Sequence, residues 1–592
     1  MQNYALSHAG RHTYSSTCGG GAGQVHCFFF CFVWICFRAT EWCWCCTGRV
    51  LGHAKSALTC GVIVFRRGNM CCTVIKFNGH LTPSDPLHHP VLIIGQPKNL
   101  AKITFEDVKC KLEPRVGEEM FKAAVLSLHP SPTDNCFLYL NLAIVAALPT
   151  KCSRHNTPSH AHSLTKLVKN LTAGVDEYIV VVCEWQDVFA SACAVARAFP
   201  VYSRKSSGNP GSHSVTVEFL LVDGGGGGRH LGEPELRCLS AAAEGVQLTA
   251  KIVDTPCHDM NTEAFIKEVE IVGNALGLKP TIIKGEELNI RGFGGLYSVG
   301  RAAVHPPALV ILSHTPEGSQ DTIAWVGKGI VYDTGGLCIK SKTAMCGMKR
   351  DCGGAAGILG AFYATVKLGF SDNLHAIFCL AENAVGPDAT RPDDIITMYS
   401  GRTVEINNTD AEGRLVVGDG VAYAHKDLKA NIILDMATLT GAQGIATGKY
   451  HAALVSNSSD WEELAMRSGI LSGDLIHAMP FAPELHFVEF ASALADMKNS
   501  VADRNNAQPS CAGLFICSHL GFEFPGVWMH VDMAYPVHCV SILVLSVMNV
   551  LVMYSMCNSI YVHLLEASLK TSMLVYLVVL QLKLSWCETI SN

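Results

Sequence analysis

Residues 322–332 read TIAWVGKGIVY, an apolar run long enough for a buried strand and broken by one lysine. One residue further on, DTGG adds Asp333 and a glycine turn. LCIKSK then places Lys340 seven residues after Asp333, and MKRDCGGAAG places Asp351 just before a helical stretch. Charges stand here where a buried strand should carry none, beside Gly-rich turns. In open α/β sheets the ends of strands are where ligands bind.

The surrounding rhythm is α/β. Strands are expected at 178–184 and 214–222, with a helix over 189–199 between them. DGGGGGRH at 223–230 reads as a flexible linker. A second region, from about Leu239 to Val537, has strand candidates at 308–314, 322–332, 374–381 and 431–438. Its helix candidates are 355–369 and 412–428. There is no internal repeat, no heptad pattern and no G-x-x-x-x-G-K-[ST] phosphate loop, so an NTPase has no support.

Composition narrows the function class. Of 592 residues, 49% are hydrophobic and 16% charged, so the chain can bury a sizeable core. A formal net charge of -6 and the lack of a long Lys/Arg run argue against nucleic acid as a partner. Ten of the 26 cysteines fall before position 73, without the paired spacing of a zinc finger. A secreted disulfide scaffold is not expected in so long a chain, and the middle reads as cytoplasmic with reduced thiols.

The two ends differ from the middle. VHCFFFCFVWICF (25–37) is shorter than the roughly 20 residues of a membrane span, and lacks a basic flank and a clean cleavage site. From Val540 to Leu565 no residue carries a fixed charge, and a second apolar run covers 573–582. The tail 539–592 has two open readings: a membrane anchor through 540–565, or a segment foreign to the folded protein.

NNTDAEGRL (407–415) sets Asp410, Glu412 and Arg414 two apart, with Ala411 and Gly413 between them. Two apart is the strand period, which would aim all three side chains one way. Asn407, Asn408, Thr409 and Asp410 are also turn formers, so a solvated turn or edge is the competing reading. Asp333, Asp351, Asp410 and Glu412 cannot share one pocket without a cation, because like charges raise one another's pKa. A pair of divalent ions about 3.5–4 Å apart, the arrangement used for hydrolysis, resolves this. A lysine that ligates such an ion must be neutral, and a second lysine left protonated could polarise a carbonyl.

These ordered motifs resemble the leucyl aminopeptidase family of dinuclear metallopeptidases. The resemblance runs from about residue 90 to 538 and includes VDTPCHDMNTEAF (253–265), RPDDIITMYSGRTVEINN (391–408) and DMATLTGAQGIATG (435–448). DMKNSVADRNNAQPSCAGLFI (496–516) points to the animal aminopeptidase-like branch. The resemblance implies a smaller N-terminal α/β domain (90–238) and a larger catalytic α/β domain with a central mixed sheet (239–538), after a leader (1–89) without counterpart. It implies that Asp333 and Glu412 bridge two ions, that Lys328 and Asp351 complete the tighter site, and that Asp410 completes the exchangeable one. Lys340 and Arg414 become the catalytic pair, Arg414 holding a bicarbonate base. Met348, Thr438, Leu439 and Gly441 line the substrate pocket. Zn²⁺, Mn²⁺ or Mg²⁺ are the expected ions, peptides with a free N-terminus the substrates, and a homo-hexamer the assembly. A folded but inactive scaffold is the alternative.

Three departures accompany the resemblance. Cys338 stands where the family commonly has Ser. Gly418 and Gly420 stand where it usually has Ala, at an expected cost of about 1 kcal/mol each in a helix interior. The Gly-rich close expected after Val537 is absent.

Overall fold

A computed structural model describes residues 73–199, 201–205, 213–222 and 230–538. The early cysteines, the 25–37 run, nearly all of the Gly-rich linker and the apolar tail lie outside the described residues. Among the described residues the cysteines are free, and no helix is long and apolar enough to cross a membrane.

The first sheet has six strands: β1 (Thr73–Asn78), β2 (Val91–Gly95), β3 (Asp134–Tyr139), β4 (Ala143–Ala147), β5 (Glu177–Cys183) and β6 (His213–Leu221). Their order is β1-β6-β5-β2-β4-β3, parallel except for β3. Strands such as VLIIG and AIVAA are buried along their whole length, as a parallel sheet covered on both faces requires. β1 falls within 1–89, so this sheet begins before the boundary expected at residue 90.

The second sheet has eight strands: β7 (Thr281–Lys284), β8 (Ala308–His314), β9 (Thr322–Asp333), β10 (Asn373–Asn383), β13 (Ile432–Ala437), β14 (Ala452–Ser456), β15 (Ile476–Ala478) and β17 (Val527–Asp532). Their order is β15-β14-β17-β13-β9-β10-β8-β7, with β17, β13, β9 and β10 parallel at the centre. This is the expected mixed sheet. A small third sheet joins β11 (Ile395–Thr397), β12 (Thr403–Glu405) and β16 (Met497–Lys498).

Helix Glu233–Asp254 links the two regions, packing on helix Val188–Ala198 and on helix Gly353–Lys367. The second crossing is close because Gly245 meets Gly360: a Cβ on Gly245 would lie 2.6 Å from the Gly360 carbonyl oxygen. His162, on the first region's helix Ala161–Leu171, packs its ring 4.8 Å from that of Tyr450. Both its ring nitrogens are buried without a hydrogen-bond partner. Burial, with His451 nearby, holds its pKa at about 4. That value lies below a free imidazole's, so the unfolded chain takes up the extra proton between the two. Stability at this junction should therefore be lost as pH falls from about 6.5 toward 4, by up to about 1.4 kcal/mol per pH unit from this group. Melting temperatures of wild type and His162→Phe across that range should diverge, and parallel curves would exclude His162 as the source.

Two expectations need correction. Residues 410–412 form no strand: Thr409 and Asp410 are in a turn, and Gly413 opens the helix Gly413–Lys426. Asp410, Glu412 and Arg414 thus converge through a turn followed by a helix start, and the turn formers before them were the true signal. Gly418 and Gly420 are also not simple helix weaknesses. A Cβ on Gly420 would lie 2.5 Å from Val326 Cγ1 and 2.6 Å from Cys379 Sγ, and one on Gly418 would lie 2.9 Å from the His519 ring. Glycine lets this helix lie flat on β9 and β10. Gly420→Ala should therefore lower the denaturation midpoint by about 1–3 kcal/mol equivalent, the overpacking cost, although alanine is the better helix former. A raised midpoint would contradict this packing argument.

Candidate active site

Four parallel strands bring their C-terminal ends to one edge: β9 at Asp333, β10 at Asn383, β13 just before Thr438, and β17 at Asp532. Alternation along β9 covers both faces of the sheet. On one face Gly327 and Gly329 admit the start of helix Gly353–Lys367, where a Cβ on Gly327 would lie 2.5 Å from Ala355 Cα. That approach brings Asp351, which precedes the helix, over the strand edge. On the other face Lys328 runs under Gly413, where a Cβ would lie 2.7 Å from Lys328 Cε and 2.9 Å from Leu439 Cδ1. Gly413 is small because Lys328 passes beneath it.

The seven charges singled out in the sequence gather here. Lys328 Nζ is 2.9 Å from both Asp351 and Glu412 and donates to the Thr438 carbonyl at 2.8 Å. Lys340 Nζ is 2.8 Å from Asp333 and 2.6 Å from Asp410. Carboxylate oxygens of Asp333, Asp351 and Glu412 all lie within 4.8 Å of one another, and these three residues are buried. Arg414 lies two residues beyond Glu412, also buried, its guanidinium 6.0 Å from the Phe490 and Phe515 ring centres. Its Nε and Nη1 have no hydrogen-bond partner.

Electrostatics show a pocket short of positive charge. Four carboxylates face two ammoniums and one guanidinium. Burial, then Glu412 and Asp351, pushes Asp333 up to about 7; burial and then Asp333 push Asp410 up to about 6. Glu412 is held below the usual carboxylate range, because Lys328 and Lys340 outweigh its burial. Burial would lower Lys328, but Asp351, Glu412 and Asp333 outweigh it and raise it. Glu412 Oε2 is buried without a partner. Crowded oxygen donors, surplus negative charge and an unpartnered oxygen fit divalent cations.

The expected substrate-side residues divide. Thr438 is drawn into the charge cluster, its hydroxyl 2.6 Å from Asp351 Oδ1. The Leu439 backbone N–H donates to Asp532 at 3.0 Å. Gly441 faces open space, and Met348 is half-buried in the turn before Asp351. The Cys338 backbone N–H, rather than its thiol, makes the local contact, donating to Thr409 Oγ1 at 2.7 Å.

Several residues of the site were not singled out in the sequence. Asn383 donates to Asp333 Oδ1 at 2.8 Å and to the Thr409 carbonyl at 3.1 Å. Asp532 accepts the Leu439 and Thr440 backbone N–H groups and the Thr440 hydroxyl. Both end apolar strands, and Asp532 there carries the charge signal that revealed Asp333, whereas the uncharged Asn383 does not. Asn499, buried beside the Asn407–Ala411 turn, carries no such signal.

Known proteins resemble this chain in sequence and fold. Residues 247–542 match the cytosol aminopeptidase family, catalytic domain, and residues 89–208 match the M17 aminopeptidase N-terminal domain 2. Probable aminopeptidase NPEPL1 of Homo sapiens is 61% identical over 470 residues, 78% of this chain and 89% of that protein. Leucine aminopeptidase 1 of Caenorhabditis elegans is 45% identical over 451 residues, 75% of this chain and 90% of that protein. A solved structure of Caenorhabditis elegans leucine aminopeptidase superimposes with a TM-score of 0.75 at 39% identity, covering 81% of this chain and 98% of that one. The leucyl aminopeptidase of Trypanosoma brucei in complex with bestatin gives 0.70 at 33% identity, covering 81% and 95%.

Proposed function

The chain belongs to the cytosol aminopeptidase family and is a metal-dependent aminopeptidase, and on that premise we propose that its pocket removes the N-terminal residue of a peptide with two divalent ions. The observation that carries this is the buried Asp333, Asp351 and Glu412 group, with ligand oxygens within 4.8 Å and an unpartnered Glu412 Oε2. Asp333 and Glu412 would be shared between the ions, Asp351 and Lys328, the latter only after giving up the proton its carboxylate neighbours hold on it, would complete one position, and Asp410 the other. When bound, the ions supply Lewis-acid polarisation and a water acidified toward neutral pH.

The chain's own groups do the rest. Lys340 stays protonated, held so by Asp333 and Asp410, and reaches from the side of Asp410 to polarise the scissile carbonyl. Arg414 presents two unpaired N–H positions in a pocket walled by Phe490 and Phe515. The planar guanidinium there would suit a bicarbonate ion, which when bound would supply a general base. Met348, Leu439 and Gly441 bound the space for the first side chain. Zn²⁺ and Mn²⁺ are the ions we assign, with Mg²⁺ a further candidate for so carboxylate-rich a site. The homo-hexamer and the cytoplasmic location belong to this reading as expectations. A scaffold without activity is not favoured, because all seven charged residues converge.

The test is hydrolysis of a panel of aminoacyl-amide fluorogenic substrates by the full chain, with Mn²⁺ or Zn²⁺ added and then chelated. Turnover that follows the ion and vanishes in Asp333→Ala establishes the reading. Silence from folded, metal-loaded protein overturns it.

A further inference from the structure

We propose that Asn499 is a positioning residue that sets the Asn407–Ala411 turn and thereby governs the ion position served by Asp410. The proposal rests on the two-metal reading above. Asn499 is fully buried and follows β16. Its backbone N–H donates to the Glu405 carbonyl at 3.0 Å, so the small third sheet holds it in place. Its side chain then reaches the turn with every hydrogen-bonding position in use. Oδ1 accepts the backbone N–H groups of Asn407 at 3.0 Å and Asn408 at 3.2 Å. Nδ2 donates to the Asn408 carbonyl at 2.7 Å and the Ala411 carbonyl at 3.3 Å.

A second amide pair reinforces the first. Asn407 Oδ1 accepts the Ser500 N–H at 2.9 Å, and Asn407 Nδ2 donates to the Ser500 carbonyl at 3.1 Å. Across the turn, the Thr409 hydroxyl donates to the Gly335 carbonyl at 2.7 Å and accepts from Cys338 N–H, and Asn383 holds the Thr409 carbonyl. The turn has no strand ladder of its own; side chains from both sides hold its backbone. Asp410 hangs from this turn, and its carboxylate is held by Lys340. Asp351 and Glu412, by contrast, are seated at helix starts and on Lys328. Loosening the clasp therefore displaces Asp410 first and leaves the Lys328, Asp351 and Glu412 group in place.

Two variants test this. Asn499→Asp keeps the volume and both acceptor contacts but sets an oxygen against the Asn408 and Ala411 carbonyls. Asn407→Ala, at an exposed position, cuts the reciprocal pair with Ser500 and leaves the core untouched. Mn²⁺ stoichiometry and affinity, melting temperature, and kcat and KM are measured on the same preparations. Wild type should take up two ions per chain. Asn499→Asp should keep one tightly and bind the second about 10–100-fold more weakly, the usual effect of losing an outer-shell partner. Its kcat should fall about 10²-fold, with recovery at high Mn²⁺. Asn407→Ala should show the same split at about 10-fold. A folded Asn499→Asp that binds both ions as wild type does, or loses both together, overturns the proposal. If that variant does not fold, an Asn407→Ala that leaves the second ion undisturbed overturns it. Wild type that never takes up a second ion overturns the two-metal reading instead, and the clasp then falls if Asn499→Asp leaves kcat unchanged.

Discussion

Lys340→Met should lower kcat by about 10²–10³-fold, the range for removing one preorganised charge from a reacting carbonyl. The ammonium contributes to charge that develops during reaction, so KM should move far less than kcat. Metal uptake should survive, since the variant removes a cation from beside Asp333 and Asp410. The check is kcat and KM on the best aminoacyl-amide substrate, with metal content measured on the same sample. A kcat near wild type with both ions bound would remove Lys340 from the chemistry and leave it a counter-ion.

Lys328→Met should have the largest effect on stability. The ammonium lies 2.9 Å from both Asp351 and Glu412, and its side chain is 3% exposed. Removing one partner of a buried ion pair leaves uncompensated charge and costs about 3–5 kcal/mol. The loss should be greatest in metal-free protein. Saturating Mn²⁺ should restore part of it, because an ion bound by the native state alone adds stability by mass action. Chemical denaturation with and without Mn²⁺ measures both quantities. Equal stability of variant and wild type in metal-free buffer would show that the two carboxylates are held by something else.

The site was legible wherever charge interrupted apolar sequence. Lys328 and Asp333 stand out in β9, and Asp351 and Lys340 follow beside glycine turns. What misled was the assumption that a two-residue spacing means a strand. Asp410, Glu412 and Arg414 come together because a turn feeds directly into a helix, and the cluster Asn407, Asn408 and Thr409 had marked that turn. Gly418 and Gly420 misled for a related reason. Helix propensity is local, whereas the room for a Cβ at Gly420 is decided by Val326 and Cys379 on two other strands. Asn499 escaped notice because an uncharged amide leaves no trace in a charge pattern and its partners are backbone atoms about ninety residues away.

The sequence by itself determined the α/β class, the main strands of the catalytic region and the seven charged residues that the fold gathers. Those follow from local quantities: apolar period, turn formers, and charges too costly to bury without partners. The tertiary structure alone decided which carboxylate each lysine meets, how closely two helices approach β9, and which amides hold the Asp410 turn. Each of these depends on distances between segments remote in the chain. Hydrogen bonds of 2.7–3.3 Å and the absence of room for a Cβ at Gly420 are set by the sheet as a whole, and no single stretch of residues contains them.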